Sequence, residues 1–465
     1  MKAKERIEWI FDKDSIDYER YLDKSGFLFG SGKIDERKVY FITFANDEKA
    51  ESLFEDFASL DRFFQDIIKA PAPLILMMDI PSHHQSSQQS PFPDDAQKLL
   101  ASRFGVGKWY YNHARLSGKI PQIALVFNKM GAALTFPIAL CDISLMLNDA
   151  GMSIGRLDVV ESVLHQNLSY DSLGGAMIHA KLSGSVDCVV SDETALLSKA
   201  KEYLSYLPQK STDDLPKHKF TYSSNPDSVA ELIPISVHIP LDMDALIKVV
   251  CDDNSFVELR SEFAKEIITG FATFGGKISG VIANRSKVNG GILFPHTLQK
   301  TSRFISLCDA YGIPIVFLSD SAGFMIGQDV EKGGNIKYGA QLFATISNAT
   351  TAKLSVSVRR NYTAGVYAMG GGGMMSDRFI ALDTSVISIY GDSVAKTLLE
   401  KSTDSTNANQ NAHDMLNSAK EPQMFLDMGL IDALIKPKEL RDEILSFVAQ
   451  HQDGSRASQK MITIM

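Results

Sequence analysis

Apolar side chains in the first half of the chain occur at two spacings, which predict a helix followed by a strand. Between Leu53 and Ile67 they lie three or four positions apart, the spacing of one face of an α-helix. The segment 73–79 is then continuously apolar up to its final Asp79, as in a strand buried on both faces. We therefore predict a helix that leads into a buried parallel strand.

The second half of the chain repeats this order. A helix is predicted to begin at Ser302, and the apolar segment 314–320 follows it as a strand. Further along, the apolar segment 122–127 of the first half has its counterpart in 353–358. Strands that alternate with helices predict an α/β fold with mainly parallel sheets, built from two similar halves.

Each of the two later strands runs into a turn of small residues. The turns contain Gly131, Ala132 and Ala133 in the first half and Thr363, Ala364 and Gly365 in the second. A tight turn before a helix exposes backbone N–H groups, and small side chains let a carbonyl oxygen approach them. The turns are candidate oxyanion holes, or else they serve to pack helices on the core. As oxyanion donors, they predict that Gly365→Val abolishes turnover with little loss of fold.

The composition changes between the two halves. The segment 208–240 is rich in Pro, Ser, Asp and Lys and has no sustained apolar periodicity. We predict domains at 1–208 and 235–465, joined by a linker at 209–234 that runs over the surface.

Length and charge exclude several classes of protein. The 465 residues, 45% of them hydrophobic, suffice for two domains with cores of their own. The net charge of -9 argues against nucleic-acid binding, which needs clustered Lys and Arg. No apolar run approaches the roughly 20 residues of a membrane helix. Residues 1–17 lack the apolar core of a signal peptide, so we expect a cytoplasmic protein.

Several motifs of enzyme chemistry are missing from the sequence. The cysteines form no Cys-x-x-Cys pair, no His lies near them at ligand spacing, and no metal is expected. The run Gly370–Gly373 is not followed by Lys-Ser or Lys-Thr, which argues against a phosphate loop. No Gly-x-Ser-x-Gly elbow is present. His83, His84 and His296 are expected to be polar loop residues rather than catalytic groups.

Three segments of the second half carry a family resemblance. They are 304–314, the glycine-rich segment 320–340, and 359–365. They look like the beta-type carboxyltransferase subunit of biotin-dependent acyl-CoA carboxylases and carboxyacyl-CoA decarboxylases, and the likeness extends more weakly over nearly the whole chain. It implies an α/β fold of two tandem crotonase-like domains, the first on the acyl-CoA side and the second on the biotin side.

The resemblance implies a reaction and its participants. A carboxyl group moves between carboxybiotin on a separate carrier protein and the α-carbon of an acyl-CoA, through an enolate held in backbone oxyanion holes. Coenzyme A is a moiety of the substrate, and the biotin carboxylase and biotin carrier subunits are partners. The family also implies a homo-oligomer, from dimer to hexamer, whose active site forms between the first domain of one subunit and the second domain of another.

The resemblance assigns roles to residues. The first turn would stabilise the thioester enolate, and the second would polarise the biotin ureido carbonyl. Substrate or biotin binding is implied for Gly323, Phe324, Gly327, Gly333, Gly334 and Tyr362. No protein base is implied, because the ureido oxygen takes the α-proton. The chain has no Ala-Met-Lys-Met biotinylation motif, which fits a separate carrier.

The sequence departs from the family pattern mainly in its first half. Ile80–His84 stands where the family has a glycine-rich loop, and Ala132 and Ala133 replace paired glycines. In the second half, Ala322 and Ile326 replace prolines. Two alternatives therefore remain open: a decarboxylase of a malonyl-type thioester of CoA or acyl carrier protein, and a non-catalytic scaffold subunit of a carboxylase complex.

Overall fold

The chain forms two compact units. The computed structural model describes residues 1–17, 27–44, 57–79, 100–131, 134–165, 167–389, 391, 422–451 and 462. The first unit comprises Met1–Asp214 together with Ala457–Met465, and the second comprises Leu215–Arg456. Leu215, where the second unit begins, lies inside the predicted linker 209–234.

The first unit contains a sheet that is parallel after an initial antiparallel hairpin. Its described strands are β1 (Phe27–Ile34), β2 (Arg37–Phe44), β3 (Leu74–Met78), β4 (Gln122–Val126), β5 (Lys129–Gly131), β6 (Ile143–Leu147), β7 (Gly151–Ser153) and β8 (Cys188–Val190). The main sheet has the order β1-β2-β3-β4-β6-β8, with β1 and β2 antiparallel. The short strands β5 and β7 pair separately and in parallel. The predicted strand at 73–79 is confirmed as β3, which is buried along its whole length.

Helices of the first unit cover this sheet. They are α1 (Ala3–Ile10), α2 (Phe57–Lys69), α3 (Val106–Leu116), α4 (Phe136–Leu140), α5 (Leu157–Leu164), α6 (Tyr170–Gly174), α7 (Ala176–Lys181) and α8 (Glu193–Ser205). The predicted helix before β3 is confirmed from Phe57 onward, and its apolar stripe at Leu60, Phe64 and Ile67 is buried. Leu53 lies outside the described residues.

The second unit repeats the same sheet topology. Its described strands are β9 (Val257–Glu258), β10 (Ile267–Phe274), β11 (Lys277–Asn284), β12 (Ile315–Ser321), β13 (Lys353–Tyr362), β14 (Arg378–Leu382), β15 (Val386–Ser388) and β16 (Ala433–Ile435). The sheet has the order β9-β10-β11-β12-β13-β14-β16, and β15 pairs with the end of β13. An antiparallel hairpin, β10 and β11, again precedes the parallel strands.

Helices of the second unit differ from the sequence expectations at two places. They are α9 (Ser228–Leu232), α10 (Met243–Val250), α11 (Pro295–Tyr311), α12 (Gln328–Lys332), α13 (Asn335–Asn348), α14 (Gly365–Ala368), α15 (Pro422–Asp427) and α16 (Leu440–Gln450). The helix expected to begin at Ser302 begins at Pro295, because proline is well suited to the first helical position. Helix α9 lies within the predicted linker, yet its Val229 is buried in the apolar core of the second unit.

The internal repeat extends to side chains that hold the amino ends of the strands. The backbone N–H of Gln122, at the start of β4, donates to the carboxylate of Asp142 over 2.9 Å. The N–H of Lys353, at the start of β13, donates to the carboxylate of Asp377 over 2.8 Å. Equivalent contacts at equivalent strands confirm that the two units are built on one plan.

The last described residue belongs with the first unit. Ile462 is buried, and its N–H donates to the Ser117 hydroxyl over 3.1 Å. The end of the predicted second domain, 235–465, is therefore packed in the first unit. In the part of the chain that the structure describes, no helix is both long and apolar enough to cross a membrane.

Candidate functional site

The turn after β13 joins a strand to a short helix. Tyr362, the last residue of β13, pairs with Ser388 of β15, and the N–H of Thr363 donates to the Ser388 carbonyl over 3.0 Å. Thr363 then takes a left-handed φ of 53°, which redirects the chain. Ala364, with φ of -67°, precedes Gly365, the first residue of α14.

Two adjacent backbone donors of this turn have no acceptor. Within the described residues, the N–H groups of Ala364 and Gly365 form no hydrogen bond, whereas Val366 N–H donates to the Thr363 carbonyl over 3.2 Å. Thr363 is exposed, Ala364 is half-buried and Gly365 is buried, so the turn is partly open to solvent. Paired N–H groups of this kind can stabilise negative charge on a carbonyl oxygen. The geometry is compatible with the predicted oxyanion hole.

The loop after β12 lies against this turn, and two glycines allow the contact. Gly323 has φ of 97°, and a Cβ there would lie 2.5 Å from the Thr363 hydroxyl oxygen. A Cβ on Gly365 would lie 3.0 Å from the Gly323 Cα atom. Gly365→Val would therefore force the two loops apart. The expectation that this variant loses turnover with little loss of fold stays a prediction, and the glycine serves loop packing as well as access.

Phe324 continues the same loop and is fixed by backbone and ring contacts. Leu293 N–H donates to the Gly323 carbonyl, and Met325 N–H donates to the Leu293 carbonyl, each over 2.9 Å. The half-buried Phe324 ring lies over Gly339, where a Cβ would be 3.1 Å from the ring. Gly323 thus lies beside the turn and Phe324 follows it, and a role of either residue in binding stays a prediction.

The other predicted binding residues are distributed differently. Gly327 precedes α12, and Gly334, with φ of 84°, precedes α13. A Cβ on Gly327 would meet no atom within 4 Å, and one on Gly333 would meet Pro295 and the backbone of α12. The structure records no contact of these glycines with the turn among the described residues. Their role in binding stays a prediction, as does that of Tyr362.

A buried carboxylate anchors the strand ends beneath the turn. Asp320 is fully buried and accepts hydrogen bonds from Arg359 over 2.8 Å and from the Arg360 side chain over 2.9 Å. Burial raises the pKa of Asp320, but the two guanidinium groups outweigh burial and hold it below its ordinary value. Arg360 also donates to the Gly290 carbonyl over 3.2 Å. Asp320 therefore fixes β13 just before the turn.

The sequence itself indicates the ion pairs of Asp320 with Arg359 and Arg360. Arg359 and Arg360 directly follow the predicted strand 353–358, and Asp320 ends the predicted strand 314–320. Charged residues at the end of a buried strand need partners, because an unpaired buried charge is costly. The charges on adjacent strands are opposite, so their pairing was deducible.

The turn of the first unit is only partly described. Gly131 ends β5 and pairs with Ser153 of β7, as Tyr362 pairs with Ser388. By these pairings Gly131 is equivalent to Tyr362, one residue before Thr363. Ala132, Ala133 and the segments 80–99 and 45–56 lie outside the described residues. These segments include His83 and His84.

The structure also places His296 and the glycine run 370–373. His296 lies in the first turn of α11 rather than in a loop, with Nε2 placed 3.3 Å from the Glu266 carboxylate. In the glycine run, a Cβ on Gly371 would lie 2.5 Å from the Val366 side chain, so close packing accounts for that glycine. In the described ranges, no three His, Cys, Asp or Glu side chains are grouped to hold a metal ion.

Comparison with known proteins decides the family. The carboxyl transferase domain family matches residues 12–461. The chain belongs to the carboxyl transferase family. Among relatives of this carboxyltransferase, the uncharacterized carboxylase YngE of Bacillus subtilis is 33% identical over 464 residues, which are 95% of this chain and 88% of the relative. Methylmalonyl-CoA decarboxylase subunit alpha of Veillonella parvula is 29% identical over 469 residues, 97% of this chain and 89% of the relative.

A solved structure of the carboxyltransferase family gives the fold. The transcarboxylase 12S crystal structure with methylmalonyl-coenzyme A and methylmalonic acid bound, described as a hexamer assembly, matches with a TM-score of 0.89 at 25% identity. The match covers 100% of this chain and 92% of that chain. The predicted family and the predicted fold of two tandem crotonase-like domains are confirmed. The chain is accordingly a beta-type carboxyltransferase.

Proposed function

We propose that this carboxyltransferase moves a carboxyl group between carboxybiotin on a separate carrier protein and the α-carbon of an acyl-CoA. The observation that carries the proposal is the pair of uncommitted N–H groups at Ala364 and Gly365, in a chain of this family. The crystal structure of transcarboxylase 12S contains methylmalonyl-coenzyme A, which supports an acyl-CoA as the substrate here.

The residues of the second turn fit a carbonyl oxygen such as that of a ureido ring. Two adjacent donors at a partly exposed turn match its two lone pairs, and the ion pairs of Asp320 with Arg359 and Arg360 fix the strand that carries them. Carboxybiotin, when bound, supplies the carboxyl group and accepts the α-proton of the thioester. The chain's own contribution is to orient the carbonyl oxygen and to stabilise the charge that develops on it.

We assign the acyl-CoA side of the reaction to the first unit. Its turn at Gly131, Ala132 and Ala133 would hold the thioester oxygen as charge develops on it. Biotin carboxylase and biotin carrier subunits would be the partners, the chain would assemble as a homo-oligomer of dimer to hexamer, and the cytoplasm would be its location. Light scattering of the purified protein tests the assembly, with a monomer as the contrary result.

Carboxyl transfer to free biotin tests the proposal. Purified protein is incubated with methylmalonyl-CoA or malonyl-CoA in the presence of free biotin, and the thioesters are separated by chromatography. Propionyl-CoA or acetyl-CoA should form in proportion to the biotin concentration. If no acyl-CoA tested is turned over at saturating biotin, the proposed function is wrong.

The similarity to the Veillonella parvula decarboxylase subunit favours decarboxylation of a malonyl-type thioester as a second candidate. The same turns would stabilise the enolate left when carbon dioxide departs. Turnover that persists at full rate without biotin would support this candidate against carboxyl transfer. A scaffold subunit, by contrast, would be inactive alone and would co-purify with an active paralogue.

A further inference from the structure

One buried side chain of the second unit has no hydrogen bond on either of its polar atoms. Asn361 is 0% exposed, and neither its Oδ1 nor its Nδ2 has a partner in the described part of the chain. It lies in β13, directly after Arg360 and three residues before Ala364. The donor Nδ2 and the acceptor Oδ1 of Asn361 are thus unpaired among the described residues, two positions before the turn that begins at Thr363.

An unsatisfied carboxamide in a protein interior costs free energy, because its hydrogen bonds to water are lost on folding. An apolar side chain of similar size would avoid this cost at a central strand position. Folded proteins break such rules mainly at functional sites. Buried polar atoms without protein partners are also the usual binding places of internal water.

Two buried hydroxyl groups on the same face of the sheet share this property. The Oγ atoms of Ser319 and Ser357 are buried and have no partner among the described residues. Ser319 pairs in register with Ser357, and Ser321 pairs with Asn361. In-register neighbours on parallel strands share a face, and so do residues two apart on one strand. Ser319 and Ser357 therefore lie on one face, and Asn361 follows them beyond an irregularity of the strand.

The strand is irregular between these positions. Ser357 and Asn361 are four residues apart on β13, whereas their partners Ser319 and Ser321 are two apart on β12. Such a bulge bends a strand and interrupts its hydrogen-bond ladder. The bulged residues include Arg359 and Arg360, which bind Asp320, so the end of β13 departs from the regular ladder just before the turn.

We infer that Asn361 is a positioning residue for the turn at Thr363–Gly365 and acts through internal water bound by its carboxamide. The inference rests on the proposed function. Water bound by the carboxamide holds the end of the bulged strand in one arrangement. The N–H groups of Ala364 and Gly365 depend on that arrangement, since oxyanion donors must be placed to within about 0.5 Å.

Asn361→Leu separates positioning from packing. It keeps the size of the side chain and removes both unsatisfied atoms, so the variant should unfold at the wild-type temperature or above it. Its kcat for biotin-dependent decarboxylation of methylmalonyl-CoA should fall at least about tenfold, with KM for the thioester changed less than about twofold. Asn361→Ser, which keeps a hydroxyl for water, should recover part of kcat.

Thr43→Val is the matched control in the first unit. The Thr43 hydroxyl is likewise buried and without a partner in the described residues, so its removal should be neutral or stabilising and leave kcat unchanged. Wild-type kcat in Asn361→Leu would overturn the inference while leaving the proposed function intact. Equal loss of stability and activity without recovery in Asn361→Ser would also overturn it. An inactive wild-type protein would instead overturn the proposed function, and this inference with it.

Discussion

The amino ends of the strands are alike in the two units, whereas the carboxyl ends differ. Besides the contacts of Asp142 and Asp377, the N–H of Ser144 donates to Asp187 over 2.8 Å, and that of Phe379 donates to Asp432 over 2.6 Å. Four aspartates thus hold two equivalent pairs of strand starts. The amino ends of these strands are therefore held by aspartates in the same way in both units.

At the carboxyl ends, the equivalent aspartates have different partners. Asp79, after β3, accepts from the N-terminal helix through Arg6 and from Asn128 over 2.6 Å. Asp320 accepts instead from the two arginines that lead into the candidate turn. Ligand sites of parallel sheets lie at the carboxyl ends of strands. The two units therefore differ at the carboxyl ends of the strands, where a ligand site is expected, and agree at the amino ends, where none is expected.

Removing the Asp320 charge should have the largest effect on stability. In Asp320→Asn, the buried Arg359 and the half-buried Arg360 lose their carboxylate partner, which costs about 3–5 kcal/mol of the free energy of unfolding. Urea unfolding followed by circular dichroism measures the change. Turnover should fall in parallel, because β13 carries the turn.

Asp79→Asn is the matched change in the first unit. Arg6 keeps its contact with Glu193 over 2.8 Å, and the loss should be about 1–2 kcal/mol. Equal losses in the two variants would contradict the difference that we assign to these strand ends.

The hydrophobic pattern of the sequence predicted the strands better than it predicted the candidate site. Apolar runs identified β3, β4 and β12, because strands buried on both faces contain little else, and β13 was identified by its place in the internal repeat. The polar groups that complete the site come from distant positions. The pairing of Asp320 with Arg359 follows from opposite charges at the ends of two predicted strands, whereas the position of Asn361 depends on a bulge that no local pattern records. Ala132 and Ala133 remain predictions.

Acid should weaken the first unit through a buried histidine. His113 is fully buried beside Trp109, and burial lowers its pKa from 6.5 to about 4, although Gln122 hydrogen-bonds to it. The unfolded chain therefore binds a proton between pH 6.5 and pH 4 that the folded chain does not. The contribution of His113 is fully present above pH 6.5 and is lost as pH falls toward 4, by about 3 kcal/mol.

Tryptophan fluorescence makes this effect specific to the first unit. Trp9 and Trp109 are the two tryptophans of the chain, and both lie in that unit. His113→Gln should remove most of the pH dependence of unfolding seen by fluorescence between pH 6.5 and 4, whereas the exposed His165→Gln should not. An unchanged pH profile in His113→Gln would show that other groups dominate acid unfolding.

Equivalent aspartates at the amino ends should make equal contributions. Asp142→Asn and Asp377→Asn each weaken one charged hydrogen bond to a strand start, which we expect to cost about 1–2 kcal/mol in either unit. Thermal unfolding of both variants checks this. A loss of stability in only one of the two variants would contradict the equivalence of the strand starts in the two units.

The central claim is that the backbone donors of the turn after β13 stabilise the reacting oxygen, and deleting one donor tests it most directly. Ala364→Pro removes a single N–H, and the Ala364 φ of -67° suits proline. Ala364→Ser keeps the N–H and serves as the control. Proline at position 364 disfavours the left-handed conformation of Thr363 before it, so circular dichroism first establishes that the variant is folded. The account predicts that the folded proline variant loses about 100-fold to 1000-fold in kcat for carboxyl transfer from methylmalonyl-CoA to biotin, while the serine variant stays active. Wild-type kcat in a folded Ala364→Pro protein would contradict it.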